Sequence, residues 1–279
     1  MASAYLGLAS KLSSFRKENF LSSADLNSNQ ILSLFELAKQ LKIGNRRIDL
    51  GNRVLGLIFN KASTRTRVSF QVAMARLGGQ TVDLNPQATQ LGRGEPIKDT
   101  ARVLSRYCDV LAIRTFSQKE LEEYAKWSTI PVINALTDLE HPCQALADYL
   151  TIQEKFGTLK GINLSYIGDS NNVANSLMIT GAMLGVNVRI CSPKGFEADS
   201  NILEKAKSLS EFGSKISICN DPSIAVKDAQ VLYTDVWASM GQEEEYLKRK
   251  EIFENYKVDQ ELIDLADEEL IILHCLPAH

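Results

Sequence analysis

The stretch VLGLIFNKASTRTRVSF, residues 54–70, changes character halfway along. Its first six residues are a continuous apolar run, the mark of a strand buried on both faces of a parallel sheet. Hydroxyls and cations follow, and the chain then takes a helical pattern. The positive end of the helix dipole lies in that first turn, where sequences favour Asp or Glu. Here the turn carries Lys61, Arg65 and Arg67, and no acid occurs between Asp49 and Asp83. The expected counter-charge is a small anion from outside the chain.

Working outward, the strand–helix alternation repeats. Apolar runs that read as strands are Val54–Phe59, Thr81–Leu84, Asp109–Arg114 and Pro131–Ala135, with helical patterns near Ile31–Leu41, Thr64–Leu77, Ile97–Tyr107, Gln118–Trp127 and His141–Lys155. A second series places strands near Ile162–Ile167, Asn187–Cys191, Ile216–Cys219, Gln230–Thr234 and Leu270–Cys275. Its helices fall near Val173–Leu184, Ser200–Phe212 and Ile224–Lys227, then within Glu244–Tyr256 and Asp259–Leu265. Two such series predict an α/β fold of two parallel-sheet domains, 1–156 and 157–279, with the active site in the cleft between them. The run Gln242-Glu243-Glu244-Glu245 before Lys248-Arg249-Lys250 reads as a solvated, ion-paired helix face.

The chain has 279 residues, 44% hydrophobic and 23% charged, enough for two ordinary globular cores. A net charge of −3 gives no reason to expect nucleic acid or an acidic membrane as partner. The five cysteines are odd in number and form no C-x-x-C pair, which suits a reducing, cytoplasmic setting. No apolar run approaches the roughly 20 residues that cross a bilayer. The start, MASAYLGLASKLSSFRK, has no acid before Glu18 and reads as a polar helix or a short organellar transit peptide.

Ligands of open α/β sheets bind at the carboxyl ends of the strands. Ser63, Thr64, Arg65 and Thr66 follow the first predicted strand, where helix-start N–H groups, hydroxyls and a guanidinium make a phosphate cradle. A plain Ser/Thr cap with solvated arginines is the simpler alternative, and it leaves the like charges unexplained. Arg114 ends a strand. His141 and Gln144 lie one turn apart, so with Arg114 they can hydrogen-bond a carbonyl oxygen and stabilise an oxyanion. In the second series Gly168-Asp169-Ser170-Asn171-Asn172 lacks the G-x-G-x-x-G glycines, which argues against a dinucleotide cofactor. Its asparagines suit a zwitterion, and Asp235 is either an ammonium partner or a structural cap. His274, Cys275 and His279 have none of the usual zinc spacings, so no metal is expected, and Cys275 reads as a substrate contact or a buried thiol.

These segments together resemble one family. STRTR at 63–67, LGRGE at 91–95, DTARVLSRY at 99–107 and HPCQ at 141–144 are similar to the aspartate/ornithine carbamoyltransferases. GDSNN at 168–172, TDVWASMGQE at 234–243 and HCLPAH at 274–279 are similar to its ornithine branch. The resemblance implies transfer of a carbamoyl group from carbamoyl phosphate to L-ornithine in arginine metabolism, without a cofactor. It implies that Ser63, Thr64, Arg65 and Thr66 hold the phosphate, Arg114 bridges phosphate and carbonyl, and His141, Gln144 and Thr66 polarise the carbonyl oxygen. Asn172, Asp235, Ser239 and Met240 would form the amino-acid pocket, with Cys275 and Leu276 near the side-chain amine and Arg67 structural. It further implies a homotrimer in which Gln90 serves a neighbouring subunit's site, and an Arg and a final helix beyond His279. Putrescine or N-acetylornithine as the acceptor, or a non-catalytic phosphate-binding role, are the alternatives.

Overall fold

The structure, a computed structural model, describes residues 18–44, 47–85, 90–237, 246–276 and 278. The N-terminal stretch, the acidic run before Lys248, Ser239, Met240 and His279 lie outside the described residues. Cα proximity divides the chain into two units, Met1–Cys143 and Gln144–His279. No helix among the described residues is long and apolar enough to cross a membrane.

The first unit opens with helix α1 (Ser28–Lys42), started by a reciprocal cap in which Asn27 Oδ1 accepts from the Gln30 N–H and Gln30 Oε1 from the Asn27 N–H, both at 2.9 Å. Then come β1 (Val54–Phe59), α2 (Arg65–Arg76), β2 (Gln80–Leu84), α3 (Ile97–Leu104), β3 (Val110–Arg114), α4 (Gln118–Trp127) and β4 (Val132–Leu136). The four strands pair in parallel in the order β2-β1-β3-β4. Leu57, Ile58, Leu111 and Ile113 are fully buried, as their unbroken apolar runs require. Asp109, read from sequence as part of β3, stands just before it. Its carboxylate accepts from the Val54 N–H at 2.9 Å and pairs with Arg53, so it pins the start of β1. The helix expected to reach Tyr107 stops at Leu104, and the Cys108 N–H returns to the Leu104 carbonyl at 2.8 Å.

In the second unit α5 (Pro142–Phe156) precedes β5 (Asn163–Ile167), α6 (Asn172–Leu184), β6 (Asn187–Cys191), α7 (Ser200–Ser208), β7 (Ile216–Cys219), α8 (Pro222–Val226), β8 (Val231–Thr234), α9 (Tyr246–Phe253), α10 (Gln260–Ile263) and β9 (Ile271–His274). Here the parallel order is β7-β6-β5-β8-β9. Helix α6 is the centre of this unit, with every residue from Val173 to Leu184 buried. It ends at Gly185, whose φ of 78° is the left-handed cap that favours glycine.

Gly181 lets α6 approach its neighbours closely. A Cβ there would stand 2.3 Å from the Tyr149 hydroxyl and 2.6 Å from Val188 Cγ2. Tyr149 cannot easily yield, because its hydroxyl donates to the Leu177 carbonyl at 2.7 Å. Gly181→Ala gains about 1 kcal/mol of helix propensity, but overpacking of a tight core typically costs about 1–3 kcal/mol. We expect a net loss of stability, read as a lower urea midpoint; an unchanged or higher midpoint refutes the close-packing account.

Candidate active-site residues

Each sheet reverses its strand order once, and some of the candidate polar residues follow the two strands that flank that point. In the first sheet the reversal lies between β1 and β3, so the chain leaves β1 toward one side and β3 toward the other. Such a switch point at the carboxyl edge is where open α/β sheets leave room for a ligand. Ser63, Thr64, Arg65 and Thr66 follow β1, and Arg114 closes β3. Asn60 ties the two loops together: its amide donates to Thr115 Oγ1 at 3.0 Å and to Glu120 Oε1 at 2.8 Å.

Thr64 occupies the cap position of α2, yet its side chain makes no capping hydrogen bond. The simple capping role therefore does not account for this hydroxyl. Arg65 and Thr64 are exposed, while Ser63 and Thr66 are half-buried. The counter-charges missing from the sequence around this loop are in part supplied by distant acids. Lys61 pairs with Asp138 and lies 4.4 Å from the Phe116 ring centroid; Arg67 pairs with Asp83 and lies 4.8 Å from that of Phe59. Lys61 and Arg67, for which the sequence suggested an external anion, thus have carboxylate partners within the chain. Arg67 is held between Asp83 and the Phe59 ring.

Arg114 sits at a register shift, where Ile113 faces Asn134 but Arg114 faces Leu136. Such an irregularity re-aims a side chain. Its Nε is buried without a hydrogen-bond partner, and burial pulls the guanidinium down to about 10. His141 follows Glu140, whose buried carboxylate accepts from Ser22 Oγ at 2.6 Å and the Ser23 N–H at 2.7 Å. Pro142 then starts α5 with its preset φ. Burial first, and Arg114 second, push His141 down to about 3, so the imidazole is neutral near pH 7. A neutral ring beside a guanidinium can hydrogen-bond a carbonyl oxygen without giving up a proton.

The second unit has its own switch point, between β5 and β8. Asp235 follows β8, is buried, and has three donors. Asn171 Nδ2 donates to Oδ2 at 2.7 Å, while the Val236 N–H at 2.7 Å and the Cys275 thiol at 2.6 Å donate to Oδ1. Cys275 is half-buried just after β9, and Leu276 beside it is exposed. Asn172 opens α6 and is half-buried. Gln90 is exposed in a 3₁₀ turn, Gln90–Arg93, of the first unit.

Two further residues, Arg249 and Asp148, were not singled out from sequence, and Asn171 was read only with its neighbour as suited to a zwitterion. Asn171, rather than Asn172, both caps α6 and bonds Asp235. Arg249 on α9 pairs with Asp169 and donates to the Trp237 carbonyl, fastening the loops after β5 and β8. Asp148, one turn after Gln144, accepts from its amide Nε2 at 2.9 Å. The i, i+4 spacing of Gln144 and Asp148 was the available signal, but nothing local marks Asp148 as buried.

Residues 18–154 match the family described as aspartate/ornithine carbamoyltransferase, carbamoyl-P binding domain, and residues 160–279 match its Asp/Orn binding domain. The chain is 67% identical over 274 residues to an ornithine carbamoyltransferase of Prochlorococcus marinus, covering 98% of this chain and 86% of that protein. With that of Parasynechococcus marenigrum the identity is 64% over 279 residues, covering 100% and 88%. Among solved structures, ornithine carbamoyltransferase from Pyrococcus furiosus superposes with a TM-score of 0.90 at 48% identity, over 94% of this chain and 86% of that one. The Gloeobacter violaceus structure gives 0.86 at 50% identity, over 95% and 86%.

Asp148 has a measurable consequence. Burial, opposed by hydrogen bonds from Gln144 and Tyr233 and aided by Asp235, pushes its carboxyl up to about 7. In the unfolded chain it titrates near 3.9. Between those values the folded state holds the extra proton, so stability is highest below about pH 4 and falls as pH rises to about 7. Asp148→Asn removes this dependence. The variant should gain on the wild type between pH 4 and pH 8 by up to on the order of 4 kcal/mol in urea unfolding. A difference that stays constant with pH refutes the assignment.

Proposed function

We infer the activity from membership: the chain belongs to the aspartate/ornithine carbamoyltransferase family, and it is a carbamoyltransferase acting on L-ornithine. It moves the carbamoyl group of carbamoyl phosphate to the ornithine δ-amine, giving citrulline and phosphate. The observation that carries this reading is the 67% identity across 98% of the chain, joined to polar residues at both switch points.

In the proposed mechanism domain 1–156 binds carbamoyl phosphate and domain 157–279 binds ornithine. Ser63, Thr64, Arg65, Thr66 and the start of α2 hold the phosphate. Arg114 bridges phosphate and carbonyl, a role in keeping with its buried Nε. Neutral His141, with Thr66 and Gln144, donates to the carbonyl oxygen. Gln144 already gives one N–H to Asp148, so its amide is held in one orientation with the other N–H available. Asn172, Asp235, Ser239 and Met240 bind the amino acid, with Cys275 and Leu276 near the δ-amine.

The neutral δ-amine attacks the carbonyl carbon, a C–N bond forms, and the tetrahedral oxyanion collapses by breaking the C–O bond to phosphate. The proton lost from nitrogen leaves with the phosphate or the solvent. A free alkyl amine titrates near pH 10, so the acceptor must be deprotonated before attack. Positioning and charge stabilisation are sufficient catalysis, since the acyl phosphate is already activated. We place the reaction in the cytoplasm, in keeping with five cysteines free of disulfides.

A homotrimer, with Gln90 reaching a neighbour's site, is part of the same proposal. Helix α2 has no buried residue, and Val68, Val72 and Val82 stand exposed on α2 and β2. Sedimentation should give three times the chain mass; a monomer with full activity refutes it.

Purified protein should form citrulline from carbamoyl phosphate and L-ornithine and turn over putrescine far more slowly. Equal or faster turnover of putrescine overturns the choice of acceptor. Arg65→Ala should weaken carbamoyl phosphate at least tenfold, about 1.4 kcal/mol, with unchanged circular dichroism. Affinity within threefold of wild type removes Arg65 from the site.

A further inference from the structure

Two thiols outside this chemistry face each other across neighbouring strands. Cys191 ends β6 and Cys219 ends β7, and the two are direct register partners in a parallel pair. Residues in register on adjacent strands project to the same face. Strands lie about 4.7–4.9 Å apart, inside the Cα separation of about 4.4–6.8 Å that a disulfide spans. Both side chains belong to one apolar cluster, with Phe253 and Tyr256.

We propose that Cys191 and Cys219 form a redox-active dithiol, a modification site that reacts with low-molecular-weight disulfides and closes to an intramolecular cystine. Access comes from the strand order: β7 is the outer strand of its sheet. Cys219 is half-buried between exposed Ile218 and Asn220, whereas Cys191 is fully buried. The outer thiol is therefore the attacking sulfur and the inner one the resolving sulfur.

The electrostatics agree with that division. The adjacent Cys191 thiol, then the Asp221 backbone and Arg189, draw the Cys219 thiol down to about 7, against burial and the Asp221 charge. The same pairing, then burial, pushes Cys191 well up, so Cys219 is the thiol of the pair that ionises first. Tyr256, whose hydroxyl donates to the Asn220 carbonyl at 2.6 Å, closes the cluster on that side. The other cysteines lack this arrangement. Burial raises Cys108, and raises Cys143 to about 12, while Cys275 is engaged with Asp235. Thiolate character, partial exposure and a neighbouring thiol are the three marks of a reactive site.

The exchange balances as follows. The Cys219 thiolate attacks one sulfur of oxidised glutathione; its S–S bond breaks and one glutathione thiolate leaves, taking a proton from solvent. Cys219 then carries no charge. Cys191 loses its proton and attacks Sγ of Cys219, expelling the second glutathione. Two protein S–H groups are oxidised to one S–S bond while one disulfide is reduced to two thiols.

The test treats the full chain with oxidised glutathione near pH 7.5, traps remaining thiols by alkylation, and maps the peptides by mass. The expected product is a 191–219 linked peptide, two hydrogens lighter than the reduced pair. Cys191→Ala, or Cys191→Ser where the alanine variant does not fold, should instead accumulate glutathione on Cys219. Its Cys219 should also alkylate about tenfold more slowly at pH 7, as expected when a low thiol pKa is lost. Cys219→Ala should leave Cys191 unmodified and citrulline formation within about twofold of wild type. A stable glutathione adduct on wild-type Cys219, no reaction at either thiol, or equal alkylation in the Cys191 variant would each overturn the proposal.

Discussion

Parallel pairing makes every strand of a sheet finish at the same edge, and the local chemistry of this chain follows from that constraint. Nine strands pair in parallel among the described residues, so the segments that leave them emerge side by side. Residues far apart in sequence thereby become neighbours. Asn60 reaches Thr115, and Asn171 reaches Asp235, across 55 and 64 positions. The reversal of strand order then opens the edge at one point in each sheet, because successive connections depart to opposite sides. Function needs both features: convergence of side chains and a gap to receive a ligand.

Charge allocation decides what that gap can hold. The loop after β1 brings Lys61, Arg65 and Arg67, and carboxylates from other loops and strands pair with Lys61 (Asp138) and Arg67 (Asp83). These surface-near pairs contribute little to stability, roughly 0–1 kcal/mol each, yet they fix where the loop sits. Arg114 is treated differently. Its guanidinium is drawn toward neutrality by burial, with Nε unbonded, a cost that an anion in the site would offset.

The fold was legible because parallel strands buried on both faces read as unbroken apolar runs, as at Val54–Phe59 and Asn187–Cys191. Element ends were less legible, and Asp109 shows why. Its type suits a strand boundary, but only the approach of β1 gives its carboxylate the Val54 N–H to bind. The excess of cation over local acid after β1 was legible, and the same local view hid Asp83 and Asp138 as partners. Asp148 and Arg249 were illegible for a related reason. A carboxylate on a helix and an arginine in a charged run look solvated until tertiary packing buries them.

Asp235 shows how much of a candidate site is settled before any ligand arrives. An ionised carboxylate offers about four acceptor positions. Asn171, the Val236 N–H and Cys275 occupy three, coming from the helix after β5, the carboxylate's own backbone and the end of β9. The remaining position has a fixed direction, so an ammonium or amine donor would meet an acceptor already oriented. Preorganisation of this kind lowers the ordering cost of binding. Asn171 is part of that arrangement. One oxygen of its amide caps α6 while its nitrogen holds the carboxylate, so the helix start and the acceptor are positioned together. A substitution at Asn171 would disturb both at once.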